Sequence, residues 1–192
     1  MNILLGTGGV IGIIVGIIAF LALVVIIWWI STGNALRQMQ VKIDEAESGI
    51  DVALTKRFDL LTKALAAVKG YAKHESETLE KVIAMRTGKG SSMAEKAEFA
   101  NQSAEALKQL NIVVEQYPTL KADTQFTALQ NSIADVEEQL QAARRLYNAN
   151  VSSYNQKIVT FPASIVANSK GMTKRDFFEA EAAKRQDVKM EF

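Results

Sequence analysis

Glu75 follows the only histidine of the chain, His74, and this pair is where chemistry would first be sought. A zinc helix of the H-E-x-x-H kind needs a second histidine four residues on, so that both imidazoles reach the metal from one face. Thr78 stands there instead. With one histidine, a Ser-His-Asp arrangement would have to run through His74, and no G-x-S-x-G elbow accompanies it. Cysteine is absent, which rules out thiolate nucleophiles, disulfides and Cys-ligated zinc or iron–sulfur centres. The stretch Thr87 to Ser92 imitates a phosphate loop, but Lys89 is followed by Gly90 where Ser or Thr is required. Paired glycosidase carboxylates need a cleft, and no β/α pattern supplies one. The expectation is a protein that is no enzyme and holds no catalytic residue, cofactor or metal.

A second group of residues stands out because polar side chains occupy apolar positions. From Leu36 the chain carries a helical stripe of Met39, Ile43, Ala46, Ile50 and Ala53. A second register follows, through Leu54, Phe58, Leu61, Leu65, Val68, Ala72, Leu79 and Val82. The one-residue shift at Ala53 and Leu54 is a stutter, which locally unwinds a coiled coil. Arg57, Glu75 and Arg86 fall on or beside these lines, where an unpaired charge would be costly. Their partners must come from other helices, and Glu115, Arg144, Asn148 and Asn155 are the candidates. Two readings compete: buried polar groups that fix helix register, or the lining of a pocket for a ligand or ion. The structural one is preferred, since no catalytic cluster accompanies these residues.

Long helices must position these groups. The first is expected to run from Asn34 to Arg86, either continuing directly from the preceding apolar segment or hinged from it at Ser31, Thr32 and Gly33. Glycines in Thr87–Ser92 end it, and Ser91 or Ser92 caps the next. That helix spans about Met93 to Val114, with Ala97, Ala100, Ala104 and Leu107 inward. The chain turns at Tyr117-Pro118. In the third helix Phe126, Ile133, Leu140, Tyr147, Tyr154 and Phe161 recur every seven residues, with Leu129, Val136 and Ala143 as companions. Strict heptads keep one seam facing a partner, so this aromatic ladder is expected in the core. Pro162 closes the helix, and a last one is expected from Thr173 or Lys174. The fold class is all-α: an N-terminal transmembrane helix, then an elongated antiparallel, up-and-down bundle of about four helices.

The first charged side chain is Arg37. Residues 10 to 30, VIGIIVGIIAFLALVVIIWWI, are apolar throughout and span about 30 Å as a helix, enough to cross a bilayer. Trp28 and Trp29 fall where indole rings favour the headgroup interface. No basic residue precedes the run and no small-x-small site follows, so an uncleaved anchor is expected rather than a signal peptide. Gly12 and Gly16 have small-xxx-small spacing but suit any membrane helix. Arg37 and Lys42 lie just after the span, so the positive-inside rule puts the N-terminus outside and the rest in the cytoplasm. The domains are then residues 1–33 with the span, and residues 34–192 as the bundle. Lys and Arg number 22 against 21 Asp and Glu, for a net charge of +1, which argues against nucleic acid.

The sequence also resembles the LemA family. The likeness runs over roughly residues 34 to 180 on Ile50-Asp51, Arg57, Asp59, Gly70-Tyr71-Ala72, His74-Glu75 and Arg86. It continues with Glu115, Tyr117-Pro118, Leu120-Lys121-Ala122, Arg144, Tyr147-Asn148, Tyr154-Asn155 and Phe161-Pro162. Where the family usually has proline and asparagine, this chain has Thr62 and Lys63, so its helix is expected to run without a kink. The resemblance implies a small bacterial protein anchored in the inner membrane, with a helical bundle and no established enzymatic activity.

The functional expectation is a membrane-anchored scaffold that self-assembles into a homo-oligomer on the lipid bilayer. The alternative is a tethered adaptor or signal-transmitting module that binds another membrane or cytoplasmic protein. For that alternative Phe177 and Phe178 are the candidate anchors in the tail.

Overall fold

The computed structural model describes residues 7–69 and 92–179. Among these every regular element is helical: α1 (Thr7–Lys69), α2 (Met93–Glu115), α3 (Pro118–Lys121), α4 (Thr124–Val159) and α5 (Ala163–Ser169). The chain divides into two compact units. One joins Met1–Lys42 to Ser153–Lys174, and the other joins Ile43–Ser152 to Arg175–Phe192.

The helix α1 runs unbroken through Ser31, Thr32 and Gly33, so the span and the heptad-bearing stretch form one continuous helix. It also passes Thr62 without a break, as the missing proline predicts; the Thr62 hydroxyl donates to the Phe58 carbonyl at 2.9 Å. The stutter is visible in burial. Leu36, Ile43, Ala46, Ile50 and Ala53 are buried, and then Leu54, Leu61, Leu65 and Val68. Adjacent burial of Ala53 and Leu54 moves the inward stripe sideways by one position. Ala64, outside both registers, is also fully buried. The His74, Glu75 and Arg86 positions, with the expected end of this helix, lie outside the described residues.

Ser92 caps α2 in a full capping box. Its hydroxyl accepts from Glu95 N at 3.2 Å, and the Glu95 carboxylate accepts from Ser92 N at 2.7 Å. The inward face differs from the expected alanine stripe. Lys96, Phe99, Ala100, Ser103, Ala106, Leu110 and Val114 are buried, whereas Ala97, Ala104 and Leu107 are only half-buried. Phe99 and Leu110 have more apolar area to hide than any alanine, and they rotate the helix toward themselves.

Asp123 starts α4, its Oδ1 accepting from Gln125 N at 2.7 Å and Phe126 N at 3.1 Å. The heptad ladder is buried at Phe126, Leu140, Tyr147 and Tyr154, with Ile133 half-buried. Phe161 is a correction: it is 76% exposed. The helix ends at Val159, two residues earlier, so the heptad register no longer dictates where Phe161 points. The expected last helix is a second correction. Residues 172–179 have no regular secondary structure, and side chains of α4 bond the Asp176 carbonyl and both backbone groups of Phe178.

In the unit that begins at Ile43, α4 runs antiparallel to α1. Lys56 pairs with Gln139 and Arg57 with Glu137, while Gly49 lies against Ala143. The helix α2 runs in the same direction as α1: Lys96 meets Glu47 and Asp51, and Ala100 meets Arg57. One end of this unit is closed by Leu61, Ala64, Leu65 and Val68 of α1, Ala106, Leu110 and Val114 of α2, Leu120 of α3 and Phe126 of α4. Each such buried large aliphatic side chain contributes about 1.5–3 kcal/mol.

In the other unit, Gln40 donates to the Tyr154 hydroxyl at 3.0 Å, and α5 buries Ala163, Val166 and Ala167. Between Val10 and Ile30 the large aliphatic side chains and Phe20 are 45% to 66% exposed. This stretch is long and apolar enough to cross a membrane. At its end the Trp28 and Trp29 rings meet edge to face, with centroids 6.5 Å apart.

Candidate functional site

Arg57 is 3% exposed, on the line of α1 that otherwise buries Leu54, Leu61 and Leu65. Its Nη1 donates to the Ala100 carbonyl at 3.0 Å, and its Nη2 lies 2.8 Å from Glu137 Oε2. Neither that oxygen nor Arg57 Nε has a well-aligned hydrogen bond, so charge rather than direction holds the contact. Burial lowers the Arg57 pKa; Glu137 opposes the shift and the positive Arg144 adds to it. An arginine remains charged through such a shift, so the pair is a permanent dipole between α1 and α4.

Lys96, not foreseen as a site residue, is 4% exposed. Its Nζ lies 2.9 Å from Glu47 Oε1 and 2.6 Å from Asp51 Oδ1. Burial by itself would lower its pKa, but hydrogen bonds to Asp51 and Glu47, and their charges, outweigh it and raise the value. A signal existed in the sequence. Glu47 and Asp51 are one turn apart on one face of α1, and Lys96 is in line with Phe99, Ala100 and Ser103.

The third cluster fastens residues 175–178 to α4. The Tyr147 hydroxyl donates to the Asp176 carbonyl at 2.9 Å. Asn148 Nδ2 donates to the Phe178 carbonyl at 3.0 Å, and its Oδ1 accepts from Phe178 N at 2.8 Å. The Arg144 guanidinium lies 4.5 Å over the Phe178 ring. Arg175 Nη2 reaches Asp44 at 2.7 Å and Glu47 at 3.4 Å. Burial raises the Tyr147 pKa, aided by Glu47 and partly offset by Arg175. Burial likewise lowers the Arg144 pKa, with Glu137 opposing. Phe178 is 2% exposed and Phe177 45%, so only one of the two expected tail anchors faces water.

Of the sequence-derived polar positions in the unit that begins at Ile43, Arg144 and Asn148 line one groove and Arg57 and Glu115 another. Arg144 and Asn148 share a groove of about 570 Å³ with Gln141, Arg145 and Phe177. Arg57 and Glu137 border another, of about 680 Å³, with Asn111, Gln130 and Glu115. Glu115 is itself exposed, because it is the last residue of α2 and projects past the buried layer. Asn155 is half-buried and belongs to the unit that contains the apolar stretch. Glu75 and Arg86 lie outside the described residues. Among the described residues no group of three or more His, Cys, Asp or Glu converges as a metal site would. What these clusters do chemically is position: each charge is set against an opposite charge, a carbonyl or an aromatic face.

Comparison with known proteins places this arrangement. Over 177 residues the chain is 30% identical to Protein LemA of Metamycoplasma hominis, covering 90% of this chain and 81% of that one. A shorter likeness links it to Magnetosome protein MamQ 2 of Paramagnetospirillum magneticum, 32% identical over 78 residues. It spans 41% of this chain and 29% of that protein. Magnetosome protein MamQ of Magnetospirillum gryphiswaldense is 30% identical over 78 residues, with the same shares covered. The LemA family model matches residues 46–192, which include Arg57, Lys96, Glu137, Arg144, Asn148 and Phe178, and the chain belongs to the LemA family.

Proposed function

We propose that this protein is a non-enzymatic scaffold, anchored in a bacterial inner membrane, that self-assembles through its heptad-bearing helices. The observation that carries the reading is α1 itself. One uninterrupted helix bears the exposed apolar stretch at one end and the buried heptad stripe farther on. A membrane helix confines every copy to two dimensions in one orientation, which raises the effective concentration of its neighbours. Weak lateral surfaces then suffice for assembly. The outward faces of the helices supply them, with Val41, Val52, Ile112 and Leu146 each more than half exposed. The polar clusters support the same reading, since their groups are engaged in holding helices in register. The likeness to magnetosome proteins adds that part of this helical chain recurs in proteins assigned to a cellular structure.

The test is the mass and shape of full-length protein extracted in mild detergent, measured by light scattering and negative-stain imaging. A homo-oligomer of defined size is expected. A monomer in detergent that also fails to crosslink to itself in native membranes would remove the scaffold reading.

A further inference from the structure

Phe161 is the most exposed large apolar side chain of the described residues, and it stands in the core ladder by sequence. Its surroundings explain where it points. In its unit α1 and α4 meet at Gln40 and Tyr154, and α4 runs toward the end of α1 that carries the apolar stretch. The corner after α4 therefore lies on the anchor side. Lys170, just after α5, confirms the level: its side chain lies across the backbone of Gly33, with Cε 2.8 Å from where a Cβ on that glycine would stand. Gly33 is four residues, about 6 Å of helix, beyond Trp29. The corner displays Val159 at 59%, Phe161 at 76% and Ile165 at 49% exposure, while Ala163, Val166 and Ala167 fix α5 from within.

Charge follows the same geometry. Residues 1–42 and 153–174 contain Arg37, Lys42, Lys157, Lys170 and Lys174 and no Asp or Glu. The remaining residues are correspondingly acidic. Arg37 follows Gly33 by one turn, and Lys157 precedes the corner by less than one turn of α4, so both lie within about a Debye length of Gly33. Apolar side chains at a membrane boundary, in a unit whose side-chain charges are all cationic, match a leaflet surface of acyl chains under anionic phosphates.

We propose that the α4–α5 corner is a second membrane contact, an interfacial collar in which Phe161, Val159 and Ile165 enter the headgroup region and Arg37, Lys157 and Lys170 bind anionic phospholipid. The inference rests on the reading of residues 10–30 as a membrane anchor. It gives the basic residues after the span a structural partner that is distant in sequence and in the same unit.

The absence of cysteine makes the test clean. A nitroxide on Thr160→Cys reports the corner with Phe161 in place, and one on Ile18→Cys reports the anchor. Each full-length protein is reconstituted in liposomes of phosphatidylcholine with or without one quarter phosphatidylglycerol, and oxygen and nickel-complex accessibilities are read by power saturation. The Thr160 label is expected at headgroup depth, deeper with phosphatidylglycerol, and shifted to the aqueous value by Phe161→Ser or by Lys157→Gln with Lys170→Gln. An Ile18 label in lipid with a Thr160 label fully in water overturns the collar alone. An Ile18 label in water overturns the anchor reading as well. A Thr160 depth indifferent to phosphatidylglycerol and to the lysine changes overturns the anionic-lipid assignment.

Discussion

The Asn148 side-chain amide binds both backbone groups of Phe178, accepting from its N–H at 2.8 Å and donating to its carbonyl at 3.0 Å. One helical side chain thus does for an irregular segment what a neighbouring strand would do. It orients Phe178 into the space beneath Arg144, and the ring seals what would otherwise be an open flank of α4.

Replacing Asn148 by Asp keeps the size but removes the donor and sets a carboxylate against the Phe178 carbonyl. A half-buried pair lost in this way costs about 1–3 kcal/mol. The expected readout is faster trypsin cleavage at Lys174 and Arg175 with the helix content unchanged. Cleavage at the wild-type rate would show that Asn148 does not hold the segment.

Arg57 and Glu137 link α1 to α4 as one charge pair. Arg57→Met is expected to destabilise by about 2–3 kcal/mol, less than a fully buried pair would, because Glu137 can turn to water. Arg57→Glu should cost more, since it buries a carboxylate beside Glu137 and against the Ala100 carbonyl. A double-mutant cycle with Glu137→Gln, read from thermal melts, isolates the pair. A coupling of zero would mean that the Ala100 carbonyl is the partner that matters.

Lys96 and Tyr147 both have pKa values raised by folding, so both hold their protons more tightly in the native state. Their stabilisation is intact below the unfolded values, about 10.4 for lysine and 10 for tyrosine, and is lost as pH rises through the raised native ones. Melting temperature should therefore fall above about pH 10 in the wild type. Lys96→Met should lower it near neutrality and flatten the alkaline fall. An alkaline slope that neither Lys96→Met nor Tyr147→Phe alters would assign the titration elsewhere.

Ala64 is fully buried among Leu61, Leu65, Val68, Leu110 and Phe126, where its small size lets helices approach. Ala64→Leu adds volume to this buried cluster, and about 1–3 kcal/mol of destabilisation is expected. Ala64→Gly should cost about 1 kcal/mol through helix propensity alone. If the leucine variant melts at or above the wild type, the packing at this site is looser than its burial implies.

Much was legible in the sequence because periodicity and transfer energy are local. The uncharged run before Arg37 determined a helix able to span a bilayer, heptads determined which faces of α1 and α4 go inward, and the pair Ser91-Ser92 and Pro162 marked boundaries. Arg57 was marked by a charge on an apolar line. Other features depended on what packs against what. The rotation of α2 that buries Lys96 follows from Phe99 and Leu110 finding the deepest site, which only the neighbouring helices define. Residues 172–179 form no helix, and Tyr147 and Asn148, about 30 residues away, bond the Asp176 carbonyl and both backbone groups of Phe178 instead. Phe161 keeps the heptad by number and leaves the core in space, since α4 stops two residues before it. Local pattern marked most of the helices and the inward faces of α1 and α4, while the meeting of distant side chains, which no local period encodes, decided where charges pair and which apolar groups stay exposed.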